Sequence, residues 1–437
     1  MSSMVLIEYR TRLCLNNFQF NYKFHLQYLR NRFFLFIFEQ IFLAKWVTPM
    51  MLDITDIVAL FTAVQLLFLT IVSFNYKKGK HLSSLLLSGF MASNALLILQ
   101  YLLSHLHIIS REKFTLIFSI GSASYLLLMP FLYLYIISLC YNDFRFKKTH
   151  LLHFVPFVAV ALFSFVLNSF NNVRITNSII LTESAIKYIE PLVRRIIIHL
   201  QILSYLTASV ITLIFYRRRL KELYSSVEKI DLGWCNLLLA AFTVMWSLDL
   251  LSWSLGSLQI ILPASQHWMF FSSLLINLTF TIAVTYKGLL QSKSFSGIRE
   301  PQKYASSRLK LSECEEIVRT LTDYMKSEKP YLMPSLSVDD LTKKINIPAR
   351  NLSQALRTCL NKNFYDLIND YRIEEVKQLI ADKSYQNQTF LALAYTAGFN
   401  SKSVFNAAFK KYTGMTPREY KNKQSVKSSI LINPTHS

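Results

Sequence analysis

The sequence predicts an all-α protein: a polytopic seven-helix membrane bundle followed by a cytoplasmic all-helical domain with two helix-turn-helix units. Three observations carry this expectation. Seven apolar segments, each near the ~20 residues a bilayer needs, lie between residues 51 and 286. The loops between them alternate between basic and nearly uncharged. Two helix–turn–helix patterns follow, at Ser337–Leu360 and Ala394–Tyr420. The composition agrees, since 52% hydrophobic residues and a net charge of +21 suit a membrane protein with basic cytoplasmic parts, a nucleic-acid binder, or both.

Residues 1–50 interleave Arg10, Arg12, Lys23, Arg30 and Arg32 with aromatic and apolar residues. Phe33–Val47 is apolar but short for a span, and no small-residue cleavage site marks a signal peptide. Two readings stand: an extra or re-entrant helix, or an over-extended reading frame with the natural start at Met50 or Met51. The second is favoured, because everything after Met51 is self-consistent without the segment.

The spans are expected near Ile54–Phe74, Leu82–Leu103, Phe114–Leu139, Leu151–Leu167, Ile196–Tyr216, Trp234–Leu255 and Trp268–Tyr286. The first-to-second, third-to-fourth and fifth-to-sixth loops hold eleven Lys and Arg, among them Lys80, Arg145 and Arg219. The alternate loops hold four, or six with Arg194 and Arg195 at the mouth of the fifth span. The positive-inside rule then puts the start at Met51 outside and the carboxyl end inside. Ser169–Val193, the longest outer loop, is too short for a folded sensor domain.

Asp249, in WSLDLLSW, is the clearest acid inside a span, and intramembrane charges tend to be functional. Gln100 and His199 lie at similar depth, so the three could build a polar pocket open to the outside; an interhelical hydrogen bond that orders the bundle is the other reading. His105 and His107 form an H-x-H without further nearby ligands, so no metal is expected. No phosphate-binding glycine loop, H-E-x-x-H or G-x-S-x-G occurs, so neither an enzyme nor a cofactor is expected. Cys14, Cys140, Cys235, Cys314 and Cys359 are far apart with no C-x-x-C, and are read as reduced thiols.

A polar linker is expected over 287–311 and a folded domain over 312–424, with 425–437 disordered. Ser312 and Glu315 have capping-box spacing for a helix to about Ser327. Ser337 and Asp340 resemble a second box, Asn346 marks a turn, and Pro348 suits a helix start. The next helix sets Leu352, Leu356 and Leu360 inward and Arg350, Asn351, Ser353, Gln354 and Arg357 outward. Phe364–Leu379 connects to the second unit. There Gly398 meets a need for positive φ, and Asn400 or Ser401 caps a helix whose buried face is Val404, Phe405, Ala408, Phe409 and Tyr412. Lys402, Ser403, Asn406, Lys410 and Lys411 fall on its other faces, and Gly414 and Pro417 end it.

The stretch AYTAGFNSKSVFNAAFKKYTGMTPREY strongly resembles the second helix-turn-helix of AraC-type transcription regulators, and SVDDLTKKINIPARNLSQALRTCL resembles the first. The resemblance covers about Ser312–Asn422. Many relatives carry Arg where Ala407 stands and Gly where Asn361 stands; Asn tolerates the left-handed conformation. The resemblance implies double-stranded DNA as partner. It places the base- and phosphate-contacting groups at Arg350, Asn351, Ser353, Gln354 and Arg357, and at Ser401, Lys402, Ser403, Asn406, Lys410 and Lys411. The whole then reads as a one-component regulator in a bacterial cytoplasmic membrane. Its lipid-embedded bundle senses an unknown ligand or partner protein, and homodimerisation is left open. The alternative is a transporter or channel with a regulatory tail, which predicts helices broken by Gly or Pro near midplane; Pro130 and Pro156 are the candidates.

Overall fold

The computed structural model describes residues 53–76, 81–108, 114–171, 180–228, 230–257, 263–294, 298 and 309–432. The expectations for residues 1–50, for most of the linker and for the last five residues lie outside the described residues. Within them the fold is helical, and no named strand occurs. The apolar part contains α1 (Ile54–Asn75), α2 (His81–His105), α3 (Thr115–Ala123), α4 (Tyr125–Cys140), α5 (Val155–Asn171), α6 (Ile180–Leu223), α7 (Gly233–Ser257) and α8 (Pro263–Ser294). The start of α1 follows from its sequence: the Asp53 carboxylate accepts from Asp56 N–H at 2.9 Å, and Asp56 returns a bond to Asp53 N–H at 3.3 Å.

Among the described residues six helices are long and apolar enough to cross a bilayer, or seven if α3 and α4 form one bent span. The bend is 41°. It falls at Ser124, not at Pro130, which stays inside α4, nor at Pro156, which lies in the first turn of α5. One turn before the break, a Cβ on Gly121 would approach the Gln100 side chain to 2.5 Å, so glycine there lets α2 pass close to α3. The fifth span is part of a helix of 44 residues that continues to Leu223, well past Tyr216. The last span likewise continues into the linker, to Ser294. Ile298 then donates from N–H to Cys140 O and accepts from Asn142 N–H, which ties the linker to the end of α4.

One core of Leu, Phe, Ala and Met runs through the bundle, with Ala59, Ala63 and Leu66 of α1 against Leu87, Phe90 and Met91 of α2. The outward face is apolar too: Phe61, Phe68, Leu162, Leu200 and Leu237 are all exposed.

The carboxyl-terminal domain contains α9 (Leu311–Glu328), α10 (Val338–Ile345), α11 (Ala349–Cys359), α12 (Phe364–Ala381), α13 (Phe390–Thr396), α14 (Lys402–Thr413) and α15 (Pro417–Ile432). It has two cores. Leu321, Met325, Leu341, Leu352 and Leu356 close around Phe364, Leu367 and Ile368 of α12. Leu393, Phe399, Phe405 and Phe409 close around Ile373, Val376, Leu379 and Ile380 of the same helix. The connecting helix therefore serves one unit with its first half and the other with its second. Three details differ from expectation. Helix α9 begins at Leu311, where Glu313 accepts from Lys310 N–H, so the Ser312–Glu315 box does not form. Helix α15 extends to Ile432, into the segment expected to be disordered, because no helix breaker intervenes before Pro434. Cys314 and Cys359 form a disulfide between α9 and α11, where reduced thiols were expected; helix packing brings the two Cα atoms to 6.5 Å despite a separation of 45 residues.

Candidate nucleic-acid interface and bundle cavity

The first unit is α10, a turn and α11. Ser337 Oγ accepts from Asp340 N–H at 3.2 Å, and the Asp340 carboxylate accepts from Ser337 N–H at 3.1 Å, so this capping box forms as read. Asn346 ends α10 in the left-handed conformation, φ 55°, and Asn361 does the same after α11, φ 49°. Pro348 is the N-cap residue, one position before α11 starts. Leu352 and Leu356 are buried; Arg350 and Arg357 are exposed; Asn351, Ser353 and Gln354 are half-buried.

The second unit is α13, a turn and α14. Gly398 has φ 89°, and a Cβ there would meet Tyr331 O at 2.5 Å, so both conformation and close approach require glycine. Ser401 is the N-cap of α14, and Gly414 ends it at φ 72°. Lys402, Ser403, Asn406 and Lys410 are exposed along one side. Lys411, expected to be available for phosphate, is engaged: its ammonium lies 2.7 Å from the Asp366 carboxylate.

Between the units lies Arg372 of α12, 1% exposed. Its guanidinium donates to Tyr331 O at 2.7 Å and to Met333 O at 2.8 Å, and reaches Ser225 O and Ser225 Oγ at 3.2 Å each. Burial lowers its pKa to about 10, so it remains charged at neutral pH. Ser225 belongs to the turn between α6 and α7, so a segment of the bundle reaches between the two units. Arg357 is part of the same meeting, being ion-paired to Glu222 near the end of α6. Neither Glu222 nor Ser225 carries a sequence signal for this role, because their partners lie more than a hundred residues away.

Inside the bundle a cavity of about 350 Å³ is lined by residues of α2, α3, α4, α6, α7 and α8. Gln100 and Asp249 line it. His199 does not: its ring is buried against Trp246, whose indole N–H donates to Nδ1 at 3.0 Å. The polar groups that sequence reasoning did not assign to it include Arg195, Tyr125, Asn94 and Asn277. Arg195 lies 3.4 Å from the Asp249 carboxylate, each side chain 33% exposed. Asn94 and Asn277 exchange two amide hydrogen bonds, at 3.0 and 3.1 Å. Two amides within apolar segments were the available signal. The H-x-H is also accounted for in part, since His105 Nδ1 bonds the buried Asp56 carboxylate at 2.9 Å. Among the described residues no group of three or more His, Cys, Asp and Glu could hold a metal ion.

Two units sharing one connecting helix, each with a second helix bearing polar groups at its surface, define the class of this domain as a tandem helix-turn-helix. Residues 341–423 match the family model described as a helix-turn-helix domain, and the type is AraC. An uncharacterized HTH-type transcriptional regulator of Staphylococcus aureus (strain COL) is 27% identical over 121 residues, 28% of this chain and 15% of its own length. One in the cgkA 5′ region of Pseudoalteromonas carrageenovora is 25% identical over 138 residues, 32% of this chain and 75% of its own. The melibiose operon regulatory protein of Escherichia coli (strain K12) is 29% identical over 87 residues, 20% of this chain and 28% of its own length. The chain thus spans a small part of two of these relatives. A solved structure of a protein of unknown function from Listeria innocua is 24% identical, covers 24% of this chain and 95% of its own, and has a TM-score of 0.21, too low to define the fold.

Proposed function

We propose that the protein is a membrane-bound transcription regulator that binds specific double-stranded DNA through its two helix-turn-helix units, under control of a signal sensed by the bundle. The observation that carries this is the pairing of two units on α12 in one chain with an apolar bundle. The exposed Phe, Leu and Ile on the bundle's outer face would be a large apolar patch in water, and a bilayer covers it. The loop charges put the helix-turn-helix end in the cytoplasm, where DNA is. The cavity at Arg195 and Asp249 is the signal site in this reading. A ligand there would be a small amphipathic molecule, with a polar head for the ion pair and an apolar body against Phe90, Phe242 and Phe280. The test is genome-wide mapping of DNA bound by the intact protein in membranes, compared with transcript profiles of a deletion strain. Bound sites upstream of genes that change in the deletion support the reading; no enriched sites overturn it.

The break at Ser124 beside the cavity favours a second reading, because transporters build substrate sites from interrupted helices. Substrate accumulation that persists when Lys402, Ser403 and Asn406 are all replaced by Ala would support it.

A further inference from the structure

The turn between α6 and α7 is a built structure. Tyr216 OH donates to Ile230 O at 3.0 Å, and Arg217 Nε donates to the Asp231 carboxylate at 2.9 Å, which closes the turn onto the end of α6. Its tip is seated in the helix-turn-helix domain. Ser225 is 1% exposed; its N–H and Oγ both donate to Leu336 O, at 3.0 and 2.7 Å, while its own oxygens accept from Arg372. Flanking residues reach the DNA-reading helices of both units. Glu222 holds Arg357 of α11. Ser226 Oγ accepts from Asn400 Nδ2 at 2.6 Å, and Asn400 immediately precedes Ser401, the N-cap of α14. Glu222 is itself oriented by Arg219, at 2.6 Å.

A helix-turn-helix reads DNA with the amino-terminal end and exposed side of its second helix. The turn touches that end in the second unit and a side chain of that helix in the first. The Glu222 carboxylate occupies part of the Arg357 guanidinium and sets a negative charge beside it, which disfavours an approaching DNA phosphate. We infer that the surface between the two units is a docking site for this chain's own turn between α6 and α7, with the end of α6, which competes with DNA and holds the domain in a non-binding arrangement. The inference rests on the DNA-binding reading above. It adds the route by which the bundle controls the domain: α6 carries Arg195 at the cavity and Glu222 at the docking site, so a shift of that helix acts on both ends.

The experiment uses the full chain in lipid nanodiscs and a random-sequence duplex long enough for both units. In Ser226→Cys/Asn400→Cys, oxidation should cross-link the turn to the domain. The cross-linked form should bind the duplex roughly tenfold more weakly than the same protein after reduction. Wild-type protein taken through the same oxidation and reduction controls for Cys314–Cys359. Independently, Glu222→Gln should bind about fivefold more tightly than wild type, the effect of losing one half-exposed ion pair from the docked state. Equal affinity of cross-linked and reduced forms overturns the inference, as do failure of the cross-link to form and a Glu222→Gln affinity no higher than wild type. If no form binds any duplex at low salt, the DNA-binding reading itself fails.

Discussion

Arg195 and Glu222 lie on one uninterrupted helix, about 40 Å apart by helical rise. The first pairs with Asp249 in the bundle cavity, and the second pairs with Arg357 of α11. A stiff rod between two charged contacts links them mechanically: a small displacement at one end is a displacement at the other. Among the described residues, α6 is a continuous path from the cavity to the contact with α11.

Asp249→Asn removes a charge while nearly keeping shape. The half-exposed pair with Arg195 is worth about 1 kcal/mol or less to stability, so thermal unfolding should shift little. The output of a regulated promoter should shift severalfold if the pair reports the signal. Normal output with clearly lower thermal stability would reduce the pair to a structural contact.

The orientation is checked by reporter fusions. Fusions after Lys80, Arg145, Arg219 and Lys310 should report the cytoplasm, and fusions after Ser110 and Thr182 the far side. A fusion at Lys310 on the far side would separate the helix-turn-helix domain from any chromosome and would sink the proposed function.

The parts legible in the sequence are those with local causes. The Ser337–Asp340 box, the left-handed Asn346 and Asn361, and the Gly398 turn each depend on a few adjacent residues, and each forms. The Leu and Phe stripes of α11 and α14 became the two cores for the same reason. What was not legible has distant causes. The break at Ser124 has no proline at the site; beside it is the close approach of Gln100 to Gly121. His199 has the depth for the cavity, but its ring faces Trp246. Cys314 and Cys359 meet only because α9 packs on α11, and Glu222 meets Arg357 only because α6 overshoots its span.

Arg372 is the residue on which the two units converge. Arg372→Leu removes the donors that satisfy Tyr331 O and Met333 O, and should destabilise the helix-turn-helix domain by about 3 kcal/mol. Arg372→Lys should recover only part of this, since an ammonium cannot copy the planar fork. Denaturant unfolding of the domain measures both, and a loss under about 1 kcal/mol in Arg372→Leu would show that the buried guanidinium is not its keystone.

The disulfide makes a separable prediction. Closing a loop of 45 residues is worth about 4 kcal/mol in the chain-entropy account. Reductant should therefore lower the unfolding midpoint of wild type and leave Cys314→Ser/Cys359→Ser unchanged. In a reducing cytoplasm the thiol form should predominate, as thiol labelling in intact cells would show.

The residues proposed to contact DNA should fail in two distinguishable ways. Arg350, Ser353 and Gln354 of α11 and Lys402, Ser403 and Asn406 of α14 occupy equivalent faces of the two second helices. Arg and Gln make bidentate base contacts that discriminate by ~1–3 kcal/mol. Lys410 is exposed further along α14, and its side chain suits phosphate. Arg350→Ala should therefore weaken a preferred duplex more than a random one and relax specificity at one position. Lys410→Ala should weaken all duplexes about equally and reduce the salt dependence by about one unit of log–log slope. Arg357→Ala carries a further signature, because Glu222 competes for that guanidinium: in the full chain the loss of a DNA contact is offset by release of the docked turn, whereas in residues 309–432 alone only the loss remains. Titration of both forms on preferred and random duplexes at several salt concentrations separates these effects. Equal shifts on both duplexes for Arg350→Ala and Lys410→Ala would refute the division between base reading and phosphate anchoring, and no shift for either would mean that DNA binds another face.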